Sequence, residues 1–173
     1  LKENKTIMAH CVLVNEGEID LLRDRKVFIA HCPTSNLNLS SGIAPIRRLI
    51  ERKVNVGLAS DISGGHTLSI PEVITSSAQV SNLRWLNSNK VEEKLTTAEL
   101  FYLATKGGGE FFGKVGSFEE GCEFDALIID DSDLIIENNL SIEERLQKFL
   151  YIGNSNNIIE RYVSGNLINE PIF

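Results

Sequence analysis

The chain has 173 residues, 42% of them hydrophobic and 24% charged, and carries a net charge of −7 from 17 basic and 24 acidic side chains. That is the composition of one soluble globular domain of ordinary size. The acidic balance excludes the clustered Lys and Arg that nucleic acid or an acidic membrane surface requires, and no apolar run reaches the roughly 18 residues of a membrane span.

The start, Leu1-Lys2-Glu3-Asn4-Lys5, is charged and lacks the apolar core of a signal peptide. Beginning on Leu rather than Met, and almost directly on a strand-like run, it reads as a piece of a longer chain. That run is Thr6-Ile7-Met8-Ala9, followed by His10. A helix is predicted over about residues 16–25, with Ile19 and Leu22 on one face. The second strand is Val27-Phe28-Ile29-Ala30, ending in His31-Cys32-Pro33. The following segment, residues 33–42, is rich in turn formers and reads as a loop, either an ordinary connection or one shaped over a substrate. A helix over about 44–52 places Ile46, Leu49 and Ile50 on one face, with Pro45 in its first turn.

The third strand, residues 54–59, ends in Ser60-Asp61. All three runs are short, continuous and partly β-branched, as strands buried on both faces of a parallel sheet are. Further helices are predicted from residue 69 or 70 to about 86, and from Thr97 to Thr105, where Gly107-Gly108-Gly109 ends the pattern. Strands alternating with helices at this spacing indicate βα units. After Phe112 the pattern changes. Residues 124–130, 148–152 and 158–163, with the turn Ser164-Gly165-Asn166, read as short strands of a separate β layer. The domain boundary is placed at residue 113.

Cys11, Cys32 and Cys122 are widely spaced and form no CxxC pair. They fit reduced thiols in a cytoplasmic protein rather than a structural zinc knuckle. More telling is what each early strand delivers at its C-terminal end: His10, His31 and Asp61 in turn. In a β/α barrel that end carries the active site, and two His with an Asp are ingredients of a metal or acid–base site. Each has a plainer reading when taken alone. A strand-end His is usually a satisfied polar residue, and an Asp before a glycine-rich turn is usually a cap or turn former. The glycines of Asp61-Ile62-Ser63-Gly64-Gly65-His66 either permit close backbone approach to a ligand or simply make the turn. His66 reads as loop structure rather than a ligand.

The strings Met8-Ala9-His10-Cys11, Ala30-His31-Cys32-Pro33-Thr34-Ser35-Asn36-Leu37 and Gly57-Leu58-Ala59-Ser60-Asp61-Ile62-Ser63-Gly64-Gly65 resemble the amidohydrolase superfamily, and within it most the guanine deaminases. The resemblance continues through Val80-Ser81-Asn82, Leu103-Ala104-Thr105, residues 121–126 and residues 148–153. It implies an α/β fold, a TIM-like (β/α)8 metal-dependent hydrolase barrel with a small β-sandwich. Residues 1–112 would be the last βα units of the barrel, and residues 113–173 the C-terminal share of the sandwich. It also implies hydrolysis of guanine, a small purine, to xanthine and ammonia at one zinc (or iron) ion, in a cytoplasmic, homodimeric enzyme with no nucleic-acid or membrane partner.

By the same resemblance, Asp61 ligates the metal and accepts a proton from the attacking water, as a carboxylate can. His10 contacts that water or the substrate without ligating the metal, although it is a ligand in binuclear members. His31 positions a loop. Asp61 and His10 together would also touch the substrate. The superfamily's His-x-His and His-x-x-Glu are absent from a chain with only 3 histidines, so the remaining ligands and the catalytic Glu are expected upstream. Related readings are a deaminase of the adenosine, S-adenosylhomocysteine or triazine type, or a segment inactive by itself.

Overall fold

The computed structural model describes residues 5–134 and 139–169. Strands β1 (Ile7–Ala9), β2 (Phe28–His31) and β3 (Asn55–Leu58) form a parallel sheet in the order β1-β2-β3. Met8 pairs with Ile29, which pairs with Val56. Ile29 and Val56 are buried, whereas Ile7 and Met8 on the sheet's edge are about half exposed.

Helix α1 (Glu16–Asp24) links β1 to β2. It starts where Asn15 accepts from the Glu18 amide while the Glu18 carboxylate takes the Asn15 amide, a reciprocal cap that satisfies two orphan donors. Its Ile19 and Leu22 are buried. Between β2 and β3 lie two short helices, α2 (Pro33–Asn38) and α3 (Ile46–Glu51). The expected loop at residues 33–42 is thus a helical turn over its first half. Pro33 stands in the first turn, where its missing N–H costs nothing, and residues 33–36 are buried. Polar composition suggested solvent, but this polar turn is packed inside.

Helix α4 (Ile70–Asn87) opens on a Ser69 cap, and α5 (Thr97–Tyr102) on a reciprocal cap between Thr96 and Glu99. Arg47 of α3 forks onto the Glu99 carboxylate at 2.8 and 2.9 Å, and this bond is the main reason its acid lies at about 2. The expected stop at Gly107-Gly108-Gly109 does not occur. The chain continues from α5 through a π turn, Leu103–Gly107, and Gly108 keeps helical angles. These glycines serve close approach instead: a Cβ on Gly57 of β3 would stand 2.9 Å from the Gly108 Cα. The left-handed glycine that follows is Gly113, at φ 126°.

Strands β4 (Ala126–Ile129), β5 (Ile158–Val163) and β6 (Asn166–Leu167) form an antiparallel sheet. Ser164 and Gly165 turn β5 into β6 with φ of 48° and 78°, the doubly left-handed turn that matches strand twist. The strand expected at residues 148–152 is instead the second half of α6 (Ile142–Ile152). A Ser141–Glu144 cap starts that helix. Leu146, Phe149 and Leu150 fall at i, i+3 and i+4, so a run that reads as continuously apolar is one helical face. That face packs on α4, where the Thr75 hydroxyl also donates to the Leu150 carbonyl at 3.0 Å. The result is a mixed α/β architecture with one continuous core, including Ile19, Leu49, Val56, Ile74, Leu100 and Phe149. Among the described residues no helix is long and apolar enough to cross a membrane.

Candidate functional site

Parallel strands that start together end together, so three chain segments converge at the C-terminal ends of β1, β2 and β3. The first carries His10, whose amide extends the ladder by donating to the Ala30 carbonyl at 3.0 Å. The second carries Cys32 and the turn of α2. The third carries Asp61. Donor atoms of His10, Cys32 and Asp61 all lie within 4.8 Å of one another. His10 Nε2 stands 3.8 Å from Asp61 Oδ2, with the two side chains 41% and 39% exposed, so both are reachable from solvent.

The backbone at both residues is unusual. His10, Cys11 and Asp61 have φ of 68°, 46° and 47°, and Ser63 follows at 90°. Non-glycine residues in this region carry a cost, smaller for His and Asp than for most, and such residues cluster at functional sites. The left-handed turn takes each chain sharply off the strand end and swings both side chains into the common space.

The Asp61 loop is closed by its own bonds and by a neighbour. The Gly65 amide donates to the Asp61 carbonyl at 2.6 Å, and Asn38 Nδ2 of α2 donates to the Gly64 carbonyl at 2.9 Å. A Cβ on Gly64 would stand 2.9 Å from Asp61 Oδ2. A Cβ on Gly65 would run into the Ser60 carbonyl and lie 2.6 Å from Thr34 Oγ1. Of the two uses the sequence left open for these glycines, the structure shows the tight turn, pressed against the buried α2 segment.

Cys32, the third member of the group, is buried. Burial first, and then the Asp61 charge, push its thiol up to about 11, leaving it neutral at physiological pH. Its Sγ donates weakly to the Ala30 carbonyl at 3.4 Å. Cys32 is 1% exposed, so His10 and Asp61 are the two donors of the group open to solvent. Two donors of these types fit part of a metal centre, and a three- or four-ligand site needs more.

His31 does not join them. Strand alternation sends the residue before Cys32 to the opposite side, and His31 is buried against Ser77 in a cavity of about 10 Å³. Burial pushes its pKa down to about 4. Since an unfolded His titrates near 6.5, the folded chain resists a proton that the unfolded chain accepts. Stability is therefore full above about pH 6.5 and falls as pH drops toward 4, by up to about 3 kcal/mol. Urea midpoints at pH 7 and pH 5 are expected to diverge less in His31→Gln than in the parent. An equal loss in both would show that His31 is not the source. His66 is exposed and stands outside the cluster.

Sequence reasoning missed Asn36. Its Oδ1 lies 2.9 Å from His10 Nδ1, and the residue is 2% exposed. No local signal marks it, since its partner lies 26 positions away in another βα unit. A larger apolar cleft of about 930 Å³ lies elsewhere, between Phe28 and Leu58 of the parallel sheet and Ala126 and Phe149 beyond it, and neither His10 nor Asp61 lines it.

The model for the family described as "Amidohydrolase family" matches residues 1–168. The guanine deaminase of Mus musculus is 42% identical over 97% of the chain, and the chain spans 39% of that protein. A crystal structure of guanine deaminase from C. acetobutylicum with guanine bound in the active site is 50% identical and superposes with a TM-score of 0.93, over 97% of this chain and 40% of that one. An adenosine deaminase from Xanthomonas campestris solved with bound zinc is 25% identical, with a TM-score of 0.78, over 93% of this chain and 36% of that one.

Proposed function

As the chain belongs to the amidohydrolase family, we propose that it is the C-terminal part of a metal-dependent deaminase that converts guanine and water to xanthine and ammonia. In this reading residues 1–112 are the last βα units of a (β/α)8 barrel, and residues 113–173 are part of its β-sandwich. The carrying observation is the convergence of His10 Nε2 and Asp61 Oδ2 to 3.8 Å at the C-terminal ends of parallel strands. The similarity to guanine deaminases supports the choice of substrate.

Asp61 would hold one zinc or iron ion, the other ligands coming from residues outside this sequence, with His10 a ligand only in the alternative binuclear-type arrangement. A bound ion supplies Lewis-acid chemistry that makes water a nucleophile at neutral pH. Asp61 takes a proton as the water oxygen bonds to guanine C2 and the C2=N3 pair moves to N3. It returns that proton to the exocyclic amine as the C2–N2 bond breaks, so that ammonia leaves, C2=N3 re-forms and the 2-hydroxy product tautomerises to xanthine. Its carboxylate is suited to this by position, since the left-handed turn at Asp61 aims it into the space that His10 faces. His10 orients the water or the purine across from it. Without the further ligands this chain is inactive on its own. The net charge of −7 suits a free purine rather than nucleic acid, and the intact enzyme is read as a cytoplasmic homodimer.

Substrate profiling of the intact enzyme tests this reading. Guanine is expected to have the highest kcat/KM in a panel with adenosine, S-adenosylhomocysteine, cytosine and aminated triazines. The similarity to a zinc-containing adenosine deaminase makes adenosine the informative competitor, and a preference for it would displace guanine as the substrate.

A further inference from the structure

We infer that Asn36 is a positioning residue that fixes the tautomer of His10, so that Nε2 faces Asp61 as a bare lone pair and acts as an acceptor or ligand, never as a donor. This deepens the proposed reading of the site, and its effect on turnover rests on that reading.

The geometry is specific. Asn36 Oδ1, an acceptor only, lies 2.9 Å from His10 Nδ1, a contact that is a hydrogen bond when Nδ1 carries the proton. A neutral ring with its one N–H at Nδ1 leaves Nε2 unprotonated. Nε2 then faces Asp61 Oδ2 at 3.8 Å, beyond direct hydrogen-bond range. Two acceptors turned toward one point, with no proton between them, suit a cation or a ligand N–H or O–H placed there. A carbonyl or carboxamide oxygen behind a histidine ring commonly sets this tautomer at metal centres, and removing it costs about 10- to 100-fold.

Asn36 is placed to do this with little freedom. It is 2% exposed. Its amide donates to the Cys32 carbonyl at 3.1 Å, and its carbonyl accepts from Ser41 at 2.8 Å, so the backbone is held on both sides. His10, by contrast, follows a three-residue strand on the sheet's edge and sits at φ 68°. Backbone alone does not fix such a ring; a rigid acceptor from the neighbouring βα unit does. The opposite orientation of the Asn36 amide would set Nδ2 against the ring and move the proton to Nε2. The two orientations therefore give opposite, measurable tautomers.

The experiment is long-range 1H–15N correlation on the intact enzyme with 15N-labelled histidine, the His10 signals being assigned from a His10→Gln sample. In the parent, His10 is expected to show a protonated Nδ1 and a pyridine-like Nε2. Asn36→Asp keeps the acceptor and is expected to keep that pattern and most of the turnover. Asn36→Leu is expected to shift the ring toward the Nε2–H form and to lower kcat by about 10- to 100-fold, with KM changed less than about threefold. A parent spectrum with Nε2–H overturns the inference, and so does a folded Asn36→Leu variant that keeps both the Nδ1–H signature and full turnover. If Asn36→Leu does not fold, the parent spectrum decides alone. A protein that shows the expected tautomer yet ignores guanine keeps this inference and loses the proposed substrate.

Discussion

Asp61→Ala in the intact enzyme is expected to lower deamination by about 10⁴-fold, the upper end of the range for losing a positioned proton acceptor, and to reduce bound metal in the same samples. Both losses follow from one position. The carboxylate is the acid of the cluster and is open to solvent, whereas the neighbouring Cys32 is buried. No other described acid shares the cluster to take its place. Metal analysis beside the kinetics makes the test specific, and retained metal with normal turnover would remove Asp61 from the site. His10→Ala is the natural companion. If His10 works on water or substrate rather than on the ion, its loss lowers kcat and leaves most of the metal bound.

The second large effect is expected at Gly65, which bears no chemistry. Gly65→Ala puts a methyl group into the Ser60 carbonyl oxygen and 2.6 Å from Thr34 Oγ1. Neither neighbour yields easily: one is backbone, and the other lies on a fully buried turn. Overpacking of this kind costs about 1–3 kcal/mol, and we expect the upper end. The only relief is to lift the loop, which displaces Asp61 along with it. Loss of stability and of activity should therefore appear together, read as a lower urea midpoint and a strongly reduced kcat. An alanine variant that melts with the parent and turns over normally would mean that the loop is not pressed on α2 as described. Gly64→Ala offers a graded comparison, because its methyl group would meet the side chains of Ser35 and Asp61 rather than backbone.

Much of this was legible in the sequence, for physical reasons that differ from residue to residue. The three parallel strands announce themselves as short β-branched runs, and His10 and Asp61 stand visibly at their ends. The cap at Thr96 is local, so the helix it begins lies within a few residues of the signal. Where the sequence misled, the deciding interaction was distant. Gly107 and Gly108 look like a stop until β3 is placed beside them, whereupon Gly57 and Gly108 prove to be a contact. Residues 148–152 look like a strand until Leu146 is counted with Phe149 and Leu150 as one stripe facing α4. Asn36 carries no sequence signature for its role, because its partner is 26 positions away and the pairing exists only once two neighbouring βα units are side by side.

The left-handed backbone at His10, Cys11, Asp61 and Ser63 has an evolutionary consequence. Glycine or asparagine would sit at these positions with less strain, so the site is where this chain has stability in reserve. A lineage released from the chemistry would be free to drift toward those residues and become sturdier as it lost function. At His10 and Asp61, unlike at Lys26 or Lys53 in plain turns, that backbone cost brings two ligand-type side chains to within 3.8 Å of each other.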